Sequence, residues 1–234
     1  MTDQYLRAGL IAAVILFSST GVHGQELAAG WEGQSGRGYA FFSPRTDLGS
    51  QVVVGAAASF LYYDFAAETG RVELTSPGVA IAVGYRIRTS RLSGTFSPGF
   101  ELRRTSRRTG SAMALTRMEA APTMQADLFG RIGRHTQTSI IASYGHANRY
   151  TWVRAGLTYQ LSNRAGTRPL SISAGVEATG QGNGDVRTAQ VGGVAEFLFV
   201  RRQLSLQIRS GISNDRDRGS TPYAGLGMYH RFRQ

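Results

Sequence analysis

The sequence predicts an all-β fold: an antiparallel, up-and-down transmembrane β-barrel of about twelve strands, with ten as the alternative. Two observations predict it. Segments of about ten residues alternate between apolar and small or polar side chains, as in Leu170 to Thr179, where every even position is apolar or alanine. These segments follow an apparent export signal, and repeated two-faced strands on an exported chain are typical of a transmembrane barrel.

The first 24 residues are a candidate signal peptide. Arg7 precedes an apolar run from Ala8 to Phe17, and a polar stretch then ends at Gly24. Val22 and Gly24 suit the −3 and −1 positions of a signal-peptidase site, so we predict cleavage before Gln25. The alternative is a membrane anchor, but a spanning helix needs about 20 apolar residues and this run is much shorter. The predicted organisation is therefore a signal peptide over residues 1–24 and a barrel over residues 25–234.

The charge of the chain bears on its partners. The formal net charge is +11, and all 26 basic residues are arginine. In a cytosolic protein such a charge would suggest nucleic acid. For an exported chain we expect no nucleic acid, and instead anionic outer-membrane lipid and lipopolysaccharide phosphates. The absence of cysteine excludes thiolate metal sites and cysteine catalysis.

Each predicted strand has an apolar face opposite a small, polar or charged one. In one strand Ile81 and Val83 alternate with Ala82 and Arg86. A soluble sandwich would bury the apolar face and a barrel would turn it to lipid, and the pattern alone does not separate them. The predicted strands are a short one at Trp31, then Tyr39–Phe42, Gln51–Tyr63, Val79–Arg88, Thr95–Arg103, Met118–Leu128, Thr138–Gly145, Tyr150–Leu161, Leu170–Thr179, Ala189–Phe199, Leu204–Ser213 and Tyr223–Phe232.

The connections between these strands alternate in length. Short ones, such as Thr89–Arg91 and Val200–Gln203, alternate with a set that is mostly long, apart from His146–Arg149. Barrels have short periplasmic turns and longer outer loops, so an even number of strands places both termini in the periplasm. The predicted long outer loops are Asp64–Gly78, Thr105–Arg117, Gly180–Thr188 and Asn214–Pro222. Pro98 and Pro122 lie inside strands, where the missing N–H predicts bulges.

Two groups of charged residues have predictable positions. Arg86, Arg154 and Arg209 have the inward parity, which favours an ion-paired plug over a selectivity filter. Their expected neighbours are Glu101, Glu119, Asp127, Glu177 and Glu196. A second group flanks a predicted outer loop, where it could bind lipopolysaccharide phosphates or form a solvated loop base: Arg103, Arg104, Arg107 and Arg108.

The sequence offers little for catalysis, and we predict no enzymatic activity and no catalytic, cofactor or metal site. His135, His146 and His230 have no serine or carboxylate at a motif-like spacing. Asp215 and Asp217 resemble a calcium loop, but arginines interrupt it and no later glutamate completes it. Glycine-rich turn chemistry explains Gly180–Asp185.

Aromatic residues leave two interpretations open. The inward parity of Tyr150, Trp152, Tyr223 and Tyr229 favours sugar contact, but membrane-interface girdles explain these residues equally well. The apolar ending at Phe232 fits an outer-membrane strand, although His230 occupies an apolar position.

Scattered features of the chain resemble the BcsS family of cellulose biosynthesis proteins. The closest stretch is Ser143-Tyr144 followed by Tyr150–Tyr159. The others are Trp31 before Tyr39, Leu61–Phe65, Gly84–Arg86, Ala189–Gly193 and Tyr223–Gly227. The resemblance implies an outer-membrane protein that takes part in secretion or surface organisation of cellulose, and so in biofilm formation, without an enzymatic role. Its implied partners are cellulose or the cellulose secretion machinery.

The alternative to this role is a free-standing barrel, either a small porin or a surface and envelope-stability protein. The lining of the lumen should help to distinguish the possibilities. A polysaccharide conduit should present aromatic platforms and polar groups, whereas a plug should present paired charges.

Overall fold

Twelve antiparallel strands close into one barrel. The computed structural model describes residues 23–67, 70–110, 115–162, 169–216 and 218–232. Each strand pairs with its neighbours in sequence, and the first strand pairs with the last. The strands are β1 His23–Gln34, β2 Arg37–Leu48, β3 Val52–Ala67, β4 Gly70–Arg88, β5 Leu92–Thr109, β6 Leu115–Ile132, β7 Thr136–Gly145, β8 Tyr150–Gln160, β9 Leu170–Gly182, β10 Arg187–Phe199, β11 Leu204–Asp215 and β12 Gly219–Phe232. The twelve-strand prediction is confirmed.

The first strand is longer than the sequence predicted. The short strand expected at Trp31 is the twelve-residue β1. Its pairing with β12 begins at Gln25, opposite Phe232. Residues 1–22 of the predicted signal peptide lie outside the described residues. Cleavage before Gln25 would leave the whole β1–β12 ladder in place, and it stays a prediction.

The outer surface carries a broad band of exposed apolar side chains. On β4 the outward residues Ile81, Val83 and Tyr85 are all more than half exposed, while the inward Arg86 is buried. This is the alternation predicted for lipid outside and polar groups inside. Other members of the band are Trp31, Phe60, Phe96, Phe100, Val176, Val191, Ile208, Ile212 and Leu226.

Helical structure is rare among the residues that the structure describes. A 3₁₀ turn, Val200–Arg202, joins β10 to β11. None of the helical structure in the described ranges has the length and hydropathy to cross a membrane.

The two ends of the barrel differ. We call the end with both chain termini the terminal end and the opposite one the distal end. At the distal end β3 to β6 extend beyond their neighbours, since β2 pairs with β3 only as far as Tyr63 and β7 pairs with β6 only from Thr123. The extension forms a four-stranded distal wall of residues 63–67, 70–76, 103–109 and 115–122.

The distal wall corrects the prediction of long outer loops. Most of Asp64–Gly78 and Thr105–Arg117 is strand, and β3 and β4 pair as far as Ala67 opposite Gly70. Gly180–Thr188 and Asn214–Pro222 are likewise mostly strand. In the wall, apolar side chains such as Phe65 and Val72 alternate inward with charged ones such as Glu73 outward. Because these outward positions are charged, the sequence lacks the apolar alternation by which this strand would be recognised.

The predicted bulges at Pro98 and Pro122 are absent. Register is continuous on both sides of Pro98, which pairs with Met124, and across Pro122, which pairs with Phe100. On the β4 side of Pro98 the pairing is interrupted between Ala82–Gly99 and Tyr85–Phe96 and then resumes in the same register. A missing N–H is therefore accommodated by a local gap in one ladder.

Candidate functional site: the barrel interior

Ion pairs cluster on one side of the lumen near the terminal end. The buried Arg86 guanidinium lies 2.9 Å from Glu26 Oε2 and 2.7 Å from Asp47 Oδ1. Its Nε also donates to Thr95 Oγ1 at 3.1 Å. Arg88 and Arg231 add positive charge beside the same carboxylates, with nearest N–O distances of 3.5 and 3.8 Å to Asp47. This cluster joins β1, β2 and β4 through charge-assisted hydrogen bonds.

A second pair spans the same half of the barrel. Arg45 on β2 lies 2.6 Å from Asp127 on β6, and Gln125 donates to the other carboxylate oxygen at 2.8 Å. Because β2 and β6 are four strands apart, this contact passes across the interior rather than along the wall.

Glu177 is the centre of a third cluster at mid-height. It accepts hydrogen bonds from Arg209 Nε at 3.1 Å and Tyr223 Oη at 3.2 Å, and Arg154 Nε lies 3.8 Å away. Arg154 also pairs with Glu32 on β1, and its guanidinium lies 4.8 Å from the Trp152 ring centroid. The Glu177 carboxylate therefore faces two guanidinium groups. Arg154 has a second carboxylate partner, Glu32 on the first strand.

Two smaller clusters lie nearer the distal end. Arg37 pairs with Asp215 and donates to Thr188, which itself donates to Asp215 at 3.0 Å. On the other side of the interior, Arg103 lies 3.1 Å from Glu101. Arg103 also donates to the Ser76 carbonyl at 2.8 Å and to Ser59 Oγ at 2.9 Å.

An apolar cluster covers the distal end of the lumen. Its buried members are Leu61, Tyr63, Phe65, Val72, Leu74 and Val186, with Tyr39 and Tyr150 packed against them. Val186 belongs to the turn between β9 and β10, on the far side of the barrel from the distal wall. We call this arrangement the distal cap.

Polar contacts hold the β9–β10 turn in the distal cap. Asn183 Nδ2 donates to Tyr63 Oη and to the Asn148 carbonyl, both at 3.2 Å. Asp185 lies 3.2 Å from Arg107, whose guanidinium lies 5.2 Å from the Phe65 ring centroid. The turn is thus tied to β3, β5 and the β7–β8 connection.

An arginine of the β11–β12 connection completes the distal surface. Arg218 pairs with Asp64 on the distal wall and donates to the Ser35 carbonyl at 2.8 Å. Burial lowers the pKa of Arg218, and the nearby charge of Arg37 lowers it further. The pKa of an arginine lies far above 7, so Arg218 remains charged and its pair with Asp64 persists at physiological pH.

The predicted luminal arginines all face inward, but their partners differ from those predicted. Arg86 binds Glu26 and Asp47, two carboxylates that sequence reasoning missed. Of the predicted acidic neighbours, Glu177 does bind Arg154 and Arg209. The other four contact different residues: Glu101 binds Arg103, Asp127 binds Arg45, Glu119 binds the exposed Arg117, and Glu196 accepts from Ser205. Inward parity in β1 and β2 was the available signal for the missed carboxylates.

The arginines predicted at the outer loop divide between two faces. Arg103 and Arg107 point inward, as their contacts with Glu101 and Phe65 show. Arg104 and Arg108 lie on the opposite parity of the same strand and face outward. Only these two remain candidates for lipopolysaccharide phosphates.

The four predicted inward aromatic residues contact polar groups of the interior. Tyr150 donates to Gln181 Oε1 at 3.1 Å, and Tyr229 hydrogen-bonds Glu26 near the terminal end. Tyr223 and Trp152 belong to the mid-height cluster. These contacts favour the inward assignment over a lipid-facing girdle.

The histidines and the glycine-rich turn, considered above as candidates for chemistry, have structural partners. His135 and Tyr159 rings are 5.8 Å apart, His146 Nδ1 is 3.3 Å from Tyr144 Oη, and His230 packs on Phe232 at 4.2 Å on the outer face. Asn183 Oδ1 accepts the N–H groups of Asp185 and Val186, which is turn chemistry.

Of Asp215 and Asp217, the two aspartates that resemble a calcium loop, the structure describes the first. Asp215 is a buried strand residue bound by Arg37 and Thr188, and Asp217 lies outside the described residues. Within the part of the chain that the structure describes, no group of three or more His, Asp or Glu side chains could hold a metal ion.

Solved structures with the same architecture define the class of protein. The KdgM porin superposes with a TM-score of 0.51 at 9% identity, over 89% of this chain and 99% of the porin. LpxR from Salmonella typhimurium gives 0.52 at 11% identity, over 88% and 99% of the two chains. The β domain of the Bordetella autotransporter Brka gives 0.50 at 11%, over 90% and 100%. These likenesses show the fold, and the protein is an outer-membrane β-barrel.

The family assignment is more specific than the assignment of the fold. The profile of the cellulose biosynthesis protein BcsS family matches residues 19–232, nearly the whole chain. The chain therefore belongs to the BcsS family, as its resemblance predicted. Among curated proteins, no sequence is significantly similar to it.

Proposed function

We propose that the protein is a non-enzymatic accessory of cellulose biosynthesis in the outer membrane, where it acts in secretion or surface organisation of the polymer. Membership of the BcsS family supports the link to cellulose. The even number of strands and the likeness to outer-membrane barrels support an orientation with both termini in the periplasm and the distal end outside.

The crowded interior is the observation that favours an accessory over a conduit. Buried ion pairs cross the interior between Arg45 and Asp127 and between Arg154 and Glu32, and the distal cap covers its outer end. A polysaccharide passing through the barrel would have to break these charge pairs in a region of low dielectric, where separating them is costly. In this proposal the polymer crosses the membrane by another route, and this barrel acts beside it.

The environment of the histidines supports the non-enzymatic part of the proposal. A serine hydrolase needs a serine within hydrogen-bond reach of a histidine that a third group orients. The imidazole rings of His135, His146 and His230 contact the side chains of Tyr159, Tyr144 and Phe232.

The surface suggests partners consistent with this location. The apolar band fits the acyl chains of outer-membrane lipid. Arg104 and Arg108, facing outward on the distal wall, are suited to lipopolysaccharide phosphates because a guanidinium binds phosphate in a bidentate manner. Cellulose or a component of its secretion machinery is the proposed functional partner, and no nucleic acid is involved.

Gene deletion tests this function in a strain that makes cellulose. We expect surface cellulose, measured by dye binding, to fall, and a plasmid copy of the gene to restore it. Synthase turnover in isolated membranes should be unchanged, because an outer-membrane accessory cannot take part in glycosyl transfer across the periplasm.

Two results would contradict the proposal. Unchanged surface cellulose would favour a free-standing envelope barrel. Loss of synthase turnover in isolated membranes would show that the protein acts on synthesis itself rather than after it.

A further inference from the structure

Arginines surround the terminal end of the barrel. They lie at the ends of β4, β6 and β12 and in the β4–β5, β6–β7 and β10–β11 connections, and their side chains reach solvent. Backbone hydrogen bonds join neighbouring parts of this set, since the Arg131 N–H donates to the Arg91 carbonyl at 2.9 Å and the Arg231 N–H to the Gln203 carbonyl at 3.1 Å. We call the set the basic rim: Arg88, Arg91, Arg131, Arg134, Arg201, Arg202 and Arg231.

Acidic side chains of the described residues do not neutralise the basic rim. The exposed carboxylates of the described ranges are Glu73 and Asp185, and both lie at the distal end. Arg88 and Arg231 contact only carboxylates that already pair with the buried Arg86. The other rim arginines have no carboxylate of the described residues within salt-bridge distance. The carboxylates of the terminal half are engaged within the barrel: Glu26, Asp47, Asp127 and Glu196.

An accessible aromatic ring lies within the basic rim. Phe129 belongs to regular ladders on both sides, opposite Ser93 and Ser139, and it shares the inward parity of the buried Asp127. It is nevertheless 49% exposed, so the mouth of the lumen is open to solvent at this position. Arg131, two residues further along β6, has the same parity. Arginine and aromatic side chains are enriched in protein–protein interfaces.

The orientation of the basic rim favours a soluble partner over lipid phosphates. Arg88 and Arg131 have inward parity, whereas their neighbours Ile87 and Ile132 face outward and are 56% and 60% exposed. Apolar side chains therefore occupy the lipid-facing positions at these strand ends, and the guanidinium groups extend over the mouth of the barrel. A macromolecule in the periplasm can approach this surface along the barrel axis.

We propose that the basic rim and Phe129 bind an acidic segment of a periplasmic protein. The inference rests on the proposed function, which places the terminal end in the periplasm, and it adds the chemistry of the partner through which the barrel acts on cellulose. Guanidinium groups pair with carboxylates in a bidentate manner, and Phe129 packs against an apolar side chain of the segment. Uncompensated charge of one sign also accelerates association with a partner of the opposite sign.

Fluorescence anisotropy of a labelled acidic peptide tests this surface. The mature barrel is held in phosphatidylcholine nanodiscs, which leave both of its ends accessible, and the probe is an oligo-glutamate with one central leucine. We expect saturable binding that weakens when the salt concentration rises from about 0.01 M to about 0.15 M, because the Debye length falls from about 30 Å to about 8 Å.

Two variants of the surface and one matched control locate the binding. Arg131→Gln/Arg134→Gln should weaken it about fivefold, the effect of losing two exposed ion pairs. The control is Arg149→Gln/Arg187→Gln, which removes the same charge from exposed arginines of the distal end and should bind as the wild type does. Phe129→Ala should weaken binding of the leucine peptide several-fold and leave unchanged the binding of a peptide with serine in place of leucine. Folding of every variant is checked by its migration on SDS gels with and without boiling.

Three results would overturn the assigned surface. The first is the absence of saturable binding. The second is an equal loss of affinity in the two double variants, which would show that net charge alone attracts the peptide. The third comes from thermal unfolding in nanodiscs that contain phosphatidylglycerol: if this anionic lipid stabilises the wild type but not Arg131→Gln/Arg134→Gln, the arginines hold lipid phosphates instead.

Complementation of the deletion strain separates this inference from the proposed function. We expect Arg131→Gln/Arg134→Gln to restore less surface cellulose than Arg149→Gln/Arg187→Gln. If deletion lowers surface cellulose and the rim variant restores it fully, the partner inference fails and the proposed function stands. If the peptide binds at the rim but deletion leaves surface cellulose unchanged, the surface stands and the proposed function fails.

Discussion

Replacing Glu177 with glutamine should destabilise the barrel more than any exposed charge substitution. Glu177 is buried and faces Arg209 at 3.1 Å and Arg154 at 3.8 Å. The glutamine keeps the size and one oxygen acceptor, but it removes the only carboxylate within salt-bridge distance of Arg209 among the contacts of the described residues. Arg154 keeps its pair with Glu32.

The expected loss of stability follows from the different positions of the two arginines: Arg209 loses its carboxylate partner, whereas Arg154 keeps Glu32. Removing one partner of a buried ion pair costs about 3–5 kcal/mol, because the remaining charge stays in a low-dielectric interior. The retained amide acceptor and the Tyr223 hydroxyl place the expected loss near the lower limit, about 3 kcal/mol. With a urea dependence of about 1–3 kcal/mol/M, the unfolding midpoint should fall by about 1–3 M.

Urea unfolding of the barrel in lipid vesicles measures this change. The control is Glu119→Gln, which breaks a contact with Arg117, a side chain that is 77% exposed. Exposed pairs contribute about 0–1 kcal/mol, so this midpoint should barely move. Equal midpoints for the two variants would refute the conclusion that the mid-height ion cluster is a buried, stabilising plug.

Two further predictions concern the outer face and the lumen. Ile81→Arg should impair assembly by about 2–4 kcal/mol if Ile81 lies at the bilayer midplane, whereas Thr75→Arg, on the same face of β4 but in the distal wall, should be tolerated. Equal heat-modifiable folding of the two variants would contradict the assigned membrane band. In planar bilayers the wild-type barrel should pass little current, because ion pairs cross its interior and the distal cap covers its outer end. A large steady wild-type conductance would show that the plug does not close the lumen.

The faces of the strands could be predicted because side-chain alternation depends on the strand alone. Ile81 and Arg86 took opposite sides of the wall as their parity required. The distal wall could not be recognised in the same way. Its outward positions carry charges such as Glu73, so the apolar alternation vanishes from one face while the ladder continues.

The ion-pair partners within the lumen could not be predicted from the sequence for a different reason. Glu26 is 60 residues from Arg86, and Glu32 is 122 residues from Arg154. Such contacts depend on the register of several intervening strands, and an error of one residue in any ladder turns a side chain to the opposite face. Parity identified the inward arginines, whereas only the closed register identified most of their carboxylates.

The seam between β1 and β12 has a consequence for biogenesis. Its ten residue pairs, from Gln25 with Phe232 to Gln34 with Tyr223, join the first strand of the barrel to the twelfth. Until the final strand arrives, the sheet retains two unpaired edges, which are templates for aggregation. Contacts across so long a stretch of chain also form slowly. The chain therefore has to be protected from aggregation until β12 is in place and the two edges of the sheet join.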